Sequence, residues 1–150
     1  MILDELLEFS DTGTVATGTG RALHGDVIDL GATPTDFGVG KPVYLVIQVT
    51  TAIVGTTSTV SFELVSDAAA AIATTGAATE HLVTELIPEA TLVAGYQRVW
   101  ALPPGVADNP YERYLGLITN VGTNVLSAGK INAFLTCDAA LWRSYADAVN

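Results

Sequence analysis

Two histidines and the acids beside them are the residues of this chain whose types could bind a metal ion. His24 and Asp26 lie two positions apart, which can place both side chains on one side of a strand, whereas the adjacent Glu80 and His81 point to opposite faces. Structural zinc sites are closed by cysteine and histidine ligands, and this chain has 2 histidines and 1 cysteine. We therefore predict no metal site, and we predict that His24 lies at the surface beside a solvated Asp26.

Two glycine-containing segments resemble phosphate-binding loops in part. Residues 38–41 (Gly-Val-Gly-Lys) resemble the end of a P-loop, but Thr35 stands at the position of its first glycine and Pro42 at that of its magnesium-binding Ser or Thr. Residues 18–20 (Gly-Thr-Gly) lack the third glycine of a dinucleotide-binding loop. Both segments are typical of turns, and we predict that the protein binds no cofactor.

Neither the cysteine nor the carboxylates form a catalytic set in the sequence. Cys137 falls on the apolar face of an alternating segment, residues 130–137, so we predict a buried and unreactive thiol. Asp4 and Glu8 would be neighbours on a helix, but they lie near a chain end, without the apolar surroundings that raise the pKa of a general acid. We therefore predict that the protein is not an enzyme.

The charge balance disfavours several classes of partner. The chain carries 16 acidic and 6 basic residues, a net charge of −10 at pH 7, whereas nucleic-acid binding requires a basic surface that displaces counterions. The same charge disfavours docking on anionic lipid, and no apolar stretch approaches the roughly 18 residues of a membrane span. The acids that follow Met1 are atypical of a secretory signal. With 1 cysteine there is no disulfide within the chain, and we expect synthesis in a reducing compartment such as a cytoplasm.

Alternation of apolar and polar residues indicates β-strands along a single domain that spans residues 1–150. The clearest segments are residues 43–51 (VYLVIQVTT) and 59–65 (TVSFELV). Further segments with a strand pattern are residues 12–19, 22–30, 81–87, 96–102, 111–119 and 130–137. No amphipathic helix of the length that a βαβ unit needs lies between them, so about eight antiparallel strands form a β-sandwich or a barrel. The alanine-rich residues 68–73 suit one helical turn or a loop.

The two ends of the chain carry apolar side chains outside these strands. Residues 1–11 form an N-terminal arm, in which the leucines fit one face of a short helix, and residues 139–150 form a C-terminal tail. Such a short helix is not stable on its own, so the arm either packs on its own sheet or contacts a neighbouring subunit. The candidate subunit contacts are Leu3, Leu6, Leu7, Phe9, Trp142 and Tyr145.

The order of several segments resembles that of the jelly-roll capsid cement proteins, also called decoration proteins, of short-tailed bacteriophages. The segments are residues 1–11 (MILDELLEFSD), 27–31 (VIDLG), 92–105 (LVAGYQRVWALPPG), 112–117 (ERYLGL) and 131–138 (INAFLTCD). Two parts of the chain differ from that family: the turn at residues 106–111 is longer, and the tail at residues 139–150 has no counterpart.

The resemblance implies a jelly-roll β-sandwich without enzymatic activity or cofactor. It implies a place on the outer capsid surface of the virion, after synthesis in the host cytoplasm. There the protein would lock neighbouring major capsid subunits together, often as a twofold-related dimer. The expected partners are therefore the major capsid protein and a second copy of the chain, with neither nucleic acid nor membrane.

Two other functions stay open at this point. A carbohydrate- or receptor-binding β-sandwich of the virion would present exposed aromatic side chains beside polar ones, and Trp100 with Arg98, or Tyr111 with Tyr114, fits that pattern. An enzyme on a double-stranded β scaffold of the cupin type would need a His-x-His pair, which the sequence lacks.

Overall fold

The computed structural model describes residues 5–32, 40–105 and 109–139, which contain nine β-strands. The strands are β1 (Glu8–Thr14), β2 (Gly20–Asp29), β3 (Tyr44–Gly55), β4 (Thr59–Asp67), β5 (Thr79–Val83), β6 (Ile87–Pro88), β7 (Gln97–Ala101), β8 (Tyr114–Gly122) and β9 (Leu126–Thr136). Short 3-10 helices at Glu5–Leu7 and Glu89–Thr91 precede β1 and β7. The alanine-rich residues 68–73 form a loop.

The strands form two antiparallel sheets that pack face to face. Sheet A has the order β1-β9-β3-β7, and sheet B has the order β2-β8-β4-β5, with β6 also paired to β4. Most consecutive strands lie in opposite sheets, so the chain crosses the sandwich repeatedly, as the two Greek keys of a jelly roll require. The predicted fold class, an all-β jelly-roll β-sandwich of about eight antiparallel strands, is confirmed.

The core lies between the sheets and is built from the apolar side of each alternating segment. Leu45 and Ile47 of β3, and Phe62 and Leu64 of β4, are completely buried in one cluster. Side chains of a strand alternate between its two faces, so the period of two in the sequence predicted these inward positions correctly. Burial of each such side chain contributes roughly 1.5–3 kcal/mol to folding.

A second, smaller apolar cluster covers the outer face of sheet B. Val65 of β4 and Ile118 of β8 point away from the main core, yet both are completely buried. They pack with Ile72 and Ala78, which belong to the loop between β4 and β5. This loop therefore forms a third layer over part of sheet B. The alternation within strands does not predict the position of such a loop.

Two predicted boundaries change. The first strand was predicted at residues 12–19, but β1 begins at Glu8 and pairs with β9. Residues 8–11 of the predicted N-terminal arm are thus part of sheet A. The predicted strand at residues 81–87 is divided into β5 and β6, because the chain leaves the edge of sheet B after Val83 and rejoins it at Ile87.

Candidate interaction surface

The predicted subunit contacts near the N-terminus lie in different environments. Leu6 is 79% exposed, Leu7 is half-buried against the core, and Phe9 is completely buried. Phe9 lies on β1, whose inner face covers the main core, so the prediction that it contacts another subunit is wrong. The remaining predicted contacts, which lie outside the described residues, are Leu3, Trp142 and Tyr145.

Exposed aliphatic side chains concentrate along one flank of the sandwich. This β7 flank, residues 83–101, contains edge strand β7 of sheet A and the adjoining edge of sheet B between β5 and β6. The large aliphatic side chains exposed on this flank are Val83 (51%), Leu86 (64%), Val93 (54%) and Val99 (38%). They are four of the seven large hydrophobic side chains that are exposed in the described part of the chain. A soluble domain usually scatters such residues, so their concentration marks the flank as a candidate contact surface.

An ion pair joins the two edges of the β7 flank. The carboxylate of Glu85, which follows β5, accepts a hydrogen bond from the Arg98 guanidinium of β7, and both side chains are about half exposed. A hydrogen bond from its own backbone N–H and the bond from Arg98 lower the pKa of Glu85. Arg98 Cζ also lies 5.9 Å from the ring centroid of Trp100, whose side chain packs partly against the core. Trp100 and Arg98, the pair that fitted the pattern of a carbohydrate-binding module, therefore lie next to each other on this flank.

The other predicted sugar-binding aromatic, Tyr111, is buried. Its ring stacks on His81 with centroids 3.8 Å apart and an interplanar angle of 17°. Its hydroxyl donates a hydrogen bond to the backbone oxygen of Pro103 at 2.7 Å, and burial raises the pKa of Tyr111 to about 12. His81 Nε2 lies 2.7 Å from Ser66 Oγ; burial lowers the pKa of His81, and the charge of Glu112 opposes that shift. These contacts hold the β7–β8 connection against β5, a structural role.

His24 is buried, which contradicts the predicted surface position. Its side chain is 3% exposed and its Nε2 lies 2.8 Å from Ser10 Oγ. Ser10 belongs to β1 of sheet A and His24 to β2 of sheet B, so the pair spans the two sheets where they meet. The backbones approach closely here: a Cβ on Gly25, whose φ is +68°, would lie 1.9 Å from the backbone oxygen of Phe9. Burial lowers the pKa of His24 to about 4, so the ring is neutral at pH 7.

An ion cluster on the outer face of sheet B links its strands. Arg21 Nη2 of β2 lies 2.7 Å from Glu63 Oε2 of β4 and 2.8 Å from Glu80 Oε1 of β5. The Asn120 amide of β8 donates a hydrogen bond to the other oxygen of Glu63 at 3.0 Å. The ion pairs are close in distance, but the guanidinium N–H groups are poorly directed, and Arg21 Nε has no partner among the described residues. Glu63 is only 4% exposed, although the alternation places it on the outer face of β4.

Three turns without charged residues form one end of the sandwich. This loop end consists of residues 15–19, 56–58 and 123–125. The Asn124 amide donates a hydrogen bond to the backbone oxygen of Thr56 at 2.7 Å, and Leu126 N–H donates to the backbone oxygen of Thr17 at 2.8 Å. Val125 projects from this end with 62% of its side chain exposed. The three turns carry no charge in a chain of net charge −10, and Glu89, whose N–H donates to the backbone oxygen of Ser58 at 3.0 Å, is an acidic residue beside them. Uncharged turns with an exposed aliphatic residue suit contact with another protein.

Cys137 is exposed, so the prediction of a buried thiol is wrong. β9 ends at Thr136, whose hydroxyl accepts a hydrogen bond from the Asp138 N–H at 3.1 Å. The alternation therefore stops one residue before Cys137. This residue lines a shallow open depression on sheet A with Tyr44 and Val99.

The described residues contain neither a cluster of metal ligands nor a membrane-spanning helix. No three His, Cys, Asp or Glu side chains of these residues lie close enough together to hold a metal ion. No helix among them has the length and apolar character that would let it cross a membrane.

Comparison with known proteins supplies a family. No curated protein matches the chain. A family model named Bbp16 matches residues 9–135, which runs from the buried Phe9 of β1 to Leu135 of β9 and so includes both sheets. Because the match covers most of the 150 residues, the chain belongs to the Bbp16 family.

Proposed function

We propose that this protein is a non-enzymatic structural protein of a virion, a capsid cement or decoration protein. It binds the outer surface of the assembled shell and locks neighbouring major capsid subunits together. The observation that carries the proposal is the strand order β1-β9-β3-β7 and β2-β8-β4-β5. This is the strand order of a jelly roll, the fold that the sequence resemblance to cement proteins implies.

The surface supports a role in protein contact. The loop end carries no charge and exposes Val125, and the β7 flank exposes four aliphatic side chains. Apolar contact area is what drives most protein association. We assign the loop end to the major capsid protein and the β7 flank to a second copy of the chain, so that a homodimer binds the shell. The protein is made in the host cytoplasm and ends on the outside of the virion.

A cement protein acts by mass action. A ligand that binds only the intact shell stabilises it by RT ln(1 + [L]/Kd), which is about 4 kcal/mol per site when the ligand is present at 1,000 times its Kd. Many such sites on one shell multiply the effect. Binding that is largely apolar resists salt, whereas binding between the acidic protein and basic patches of the shell weakens as salt rises.

Stripped and restored capsids test the proposal. Particles are stripped of the protein, divided, and heated with and without added protein while genome release is followed by a dye. We expect restored particles to release the genome at a higher temperature than stripped ones. Equal release temperatures would contradict the cement role.

Two variants locate the contact with the shell. Val125→Asp introduces a charge at the loop end and should weaken particle binding by at least about tenfold, since a charge enters an apolar contact. Ala70→Asp introduces the same charge on an exposed position of the loop between β4 and β5, and should bind normally. If the two variants bind alike, the loop end is not the contact.

A carbohydrate-binding module is the second candidate function. The observation in its favour is that Arg98 and Trp100 lie together on the β7 flank, since arginine and an aromatic ring can form a sugar-binding surface. Binding of a defined glycan by the isolated protein, abolished by Trp100→Ala, would support this function in place of the first.

A further inference from the structure

The outer side of β7 carries backbone N–H and C=O groups that have no hydrogen-bond partner among the described residues. In the described residues β7 pairs only with β3, in an unbroken register along Gln97–Ala101. Hydrogen bonds fix which residues of β7 face β3: Leu102 N–H donates to the backbone oxygen of Val43, and Val49 N–H donates to that of Tyr96, both at 2.8 Å. Residues that exchange hydrogen bonds alternate with residues that do not along an antiparallel ladder.

This alternation assigns every backbone group of β7. Arg98 and Trp100 lie two and four positions after Tyr96, which bonds to β3, and Trp100 lies two before Leu102, which also does. Their N–H and C=O groups therefore point toward β3 as well. The residues between them point the other way. The N–H and C=O groups of Gln97, Val99 and Ala101 face out from the sheet edge. An unpaired row of this kind is a template for another strand.

We propose that a second copy of the chain pairs its own β7 with this edge, antiparallel, about a twofold axis at Val99. Val99 then exchanges two hydrogen bonds with Val99 of the second copy. Gln97 and Ala101 each exchange two with the opposite residue, Ala101 or Gln97, of the second copy. All outward groups are satisfied in this one register, and the two four-stranded A sheets become one continuous sheet.

The side chains of β7 are complementary to themselves in that register. Arg98 lies opposite Trp100 of the second copy, which adds a cation–π contact, and it does not lie opposite the second Arg98. Val99 meets Val99, which covers the exposed part of an aliphatic side chain. Val83 and Leu86 border the same edge, because Glu85 between them is bound to Arg98. A charged or proline-containing foreign strand would lack this match, and the self-complementarity is what identifies the occupant as a second copy.

This inference deepens the homodimer that forms part of the proposed function. The dimer is measured in solution without capsids, whereas the cement role is measured by genome release. A monomer that still raises the release temperature would refute the inference and leave the cement role, and a dimer that leaves the temperature unchanged would do the reverse.

Charge substitutions on the axis test the register. Val99→Lys places two lysines opposite each other in the dimer, and Val99→Glu places two glutamates there. Each variant alone should be monomeric at concentrations where the wild type is dimeric by sedimentation velocity. An equimolar mixture should regain the dimer, because only a residue on the twofold axis meets its own counterpart. Val125→Lys is the control, since it adds the same charge at the loop end, and it should remain dimeric.

Hydrogen exchange of single amides gives an independent readout that needs no substitution. The N–H groups of Gln97, Val99 and Ala101 should exchange quickly in dilute protein and at least about tenfold more slowly in concentrated protein, whereas those of Arg98 and Trp100 should be protected in both. A wild type that stays monomeric at high concentration overturns the inference. So does a dimer that survives both Val99 substitutions, or one in which the three outward amides still exchange quickly.

Discussion

Acid should destabilise this protein through His24. The pKa of the buried ring is lowered to about 4 from its usual 6.5, because burial disfavours the charged imidazolium. The unfolded chain therefore binds more protons than the folded one between these values, and the stability of the folded state falls as pH falls through that window. At pH 4.5 the linkage relation gives a loss of about 2–3 kcal/mol relative to pH 8.

Urea unfolding of the wild type and of His24→Gln at pH 8 and pH 4.5 measures this effect. Glutamine keeps a side-chain amide that can bond to Ser10 but does not titrate in this range. The wild type should lose about 2–3 kcal/mol more than the variant on acidification. Carboxylates and His81 titrate in both proteins, so the difference between the two losses isolates His24. Equal losses, or a His24 pKa near 6.5 by NMR titration, would refute the reasoning.

Three further experiments test contacts of the interior. Arg21→Met should lower the free energy of unfolding by about 3–5 kcal/mol, because it leaves Glu63 buried without its cation; adding Glu63→Leu should restore much of the loss in a double-mutant cycle. Phe9→Ala should cost about 3–5 kcal/mol, whereas Leu6→Ala should change stability by less than about 0.5 kcal/mol in the same urea titration. Gly25→Ala should reduce the yield of folded protein by circular dichroism, because its Cβ would overlap the backbone oxygen of Phe9; wild-type folding of this variant would contradict the close approach of β1 and β2.

The strand interiors could be predicted from the sequence because alternation is a local property. In residues 59–65 each apolar side chain on one face entered the core, as Phe62 and Leu64 show. The absence of long helical patterns likewise gave the fold class, since a chain of alternating segments buries its apolar faces by stacking sheets. The jelly roll was implied by the resemblance in segment order and not by the alternation, and the strand order is known only from the structure.

The predictions that failed concern residues whose burial depends on another part of the chain. His24 was predicted at the surface, but β1 covers it. Glu63 lies on the outer face of β4, as the alternation indicates, yet Arg21 and Asn120 cover it there. Cys137 looks like a core position, but it lies beyond the last residue of β9. The burial of such positions depends on which strand or loop lies over them.

The sequence by itself determined that this protein is built of β-strands, which face of each long strand is apolar, and that its surface is acidic. The first two properties follow from the order of neighbouring residues, and the third follows from the excess of acidic over basic residues. The tertiary structure decided where the unpaired edge lies and which residues of it face outward. In an isolated strand the N–H groups of Arg98 and Val99 are equivalent. In the folded protein they differ, because the N–H of Arg98 bonds to β3 and that of Val99 points away from it. That distinction comes from pairing with residues about fifty positions away in the chain, so no local pattern in the sequence carries it.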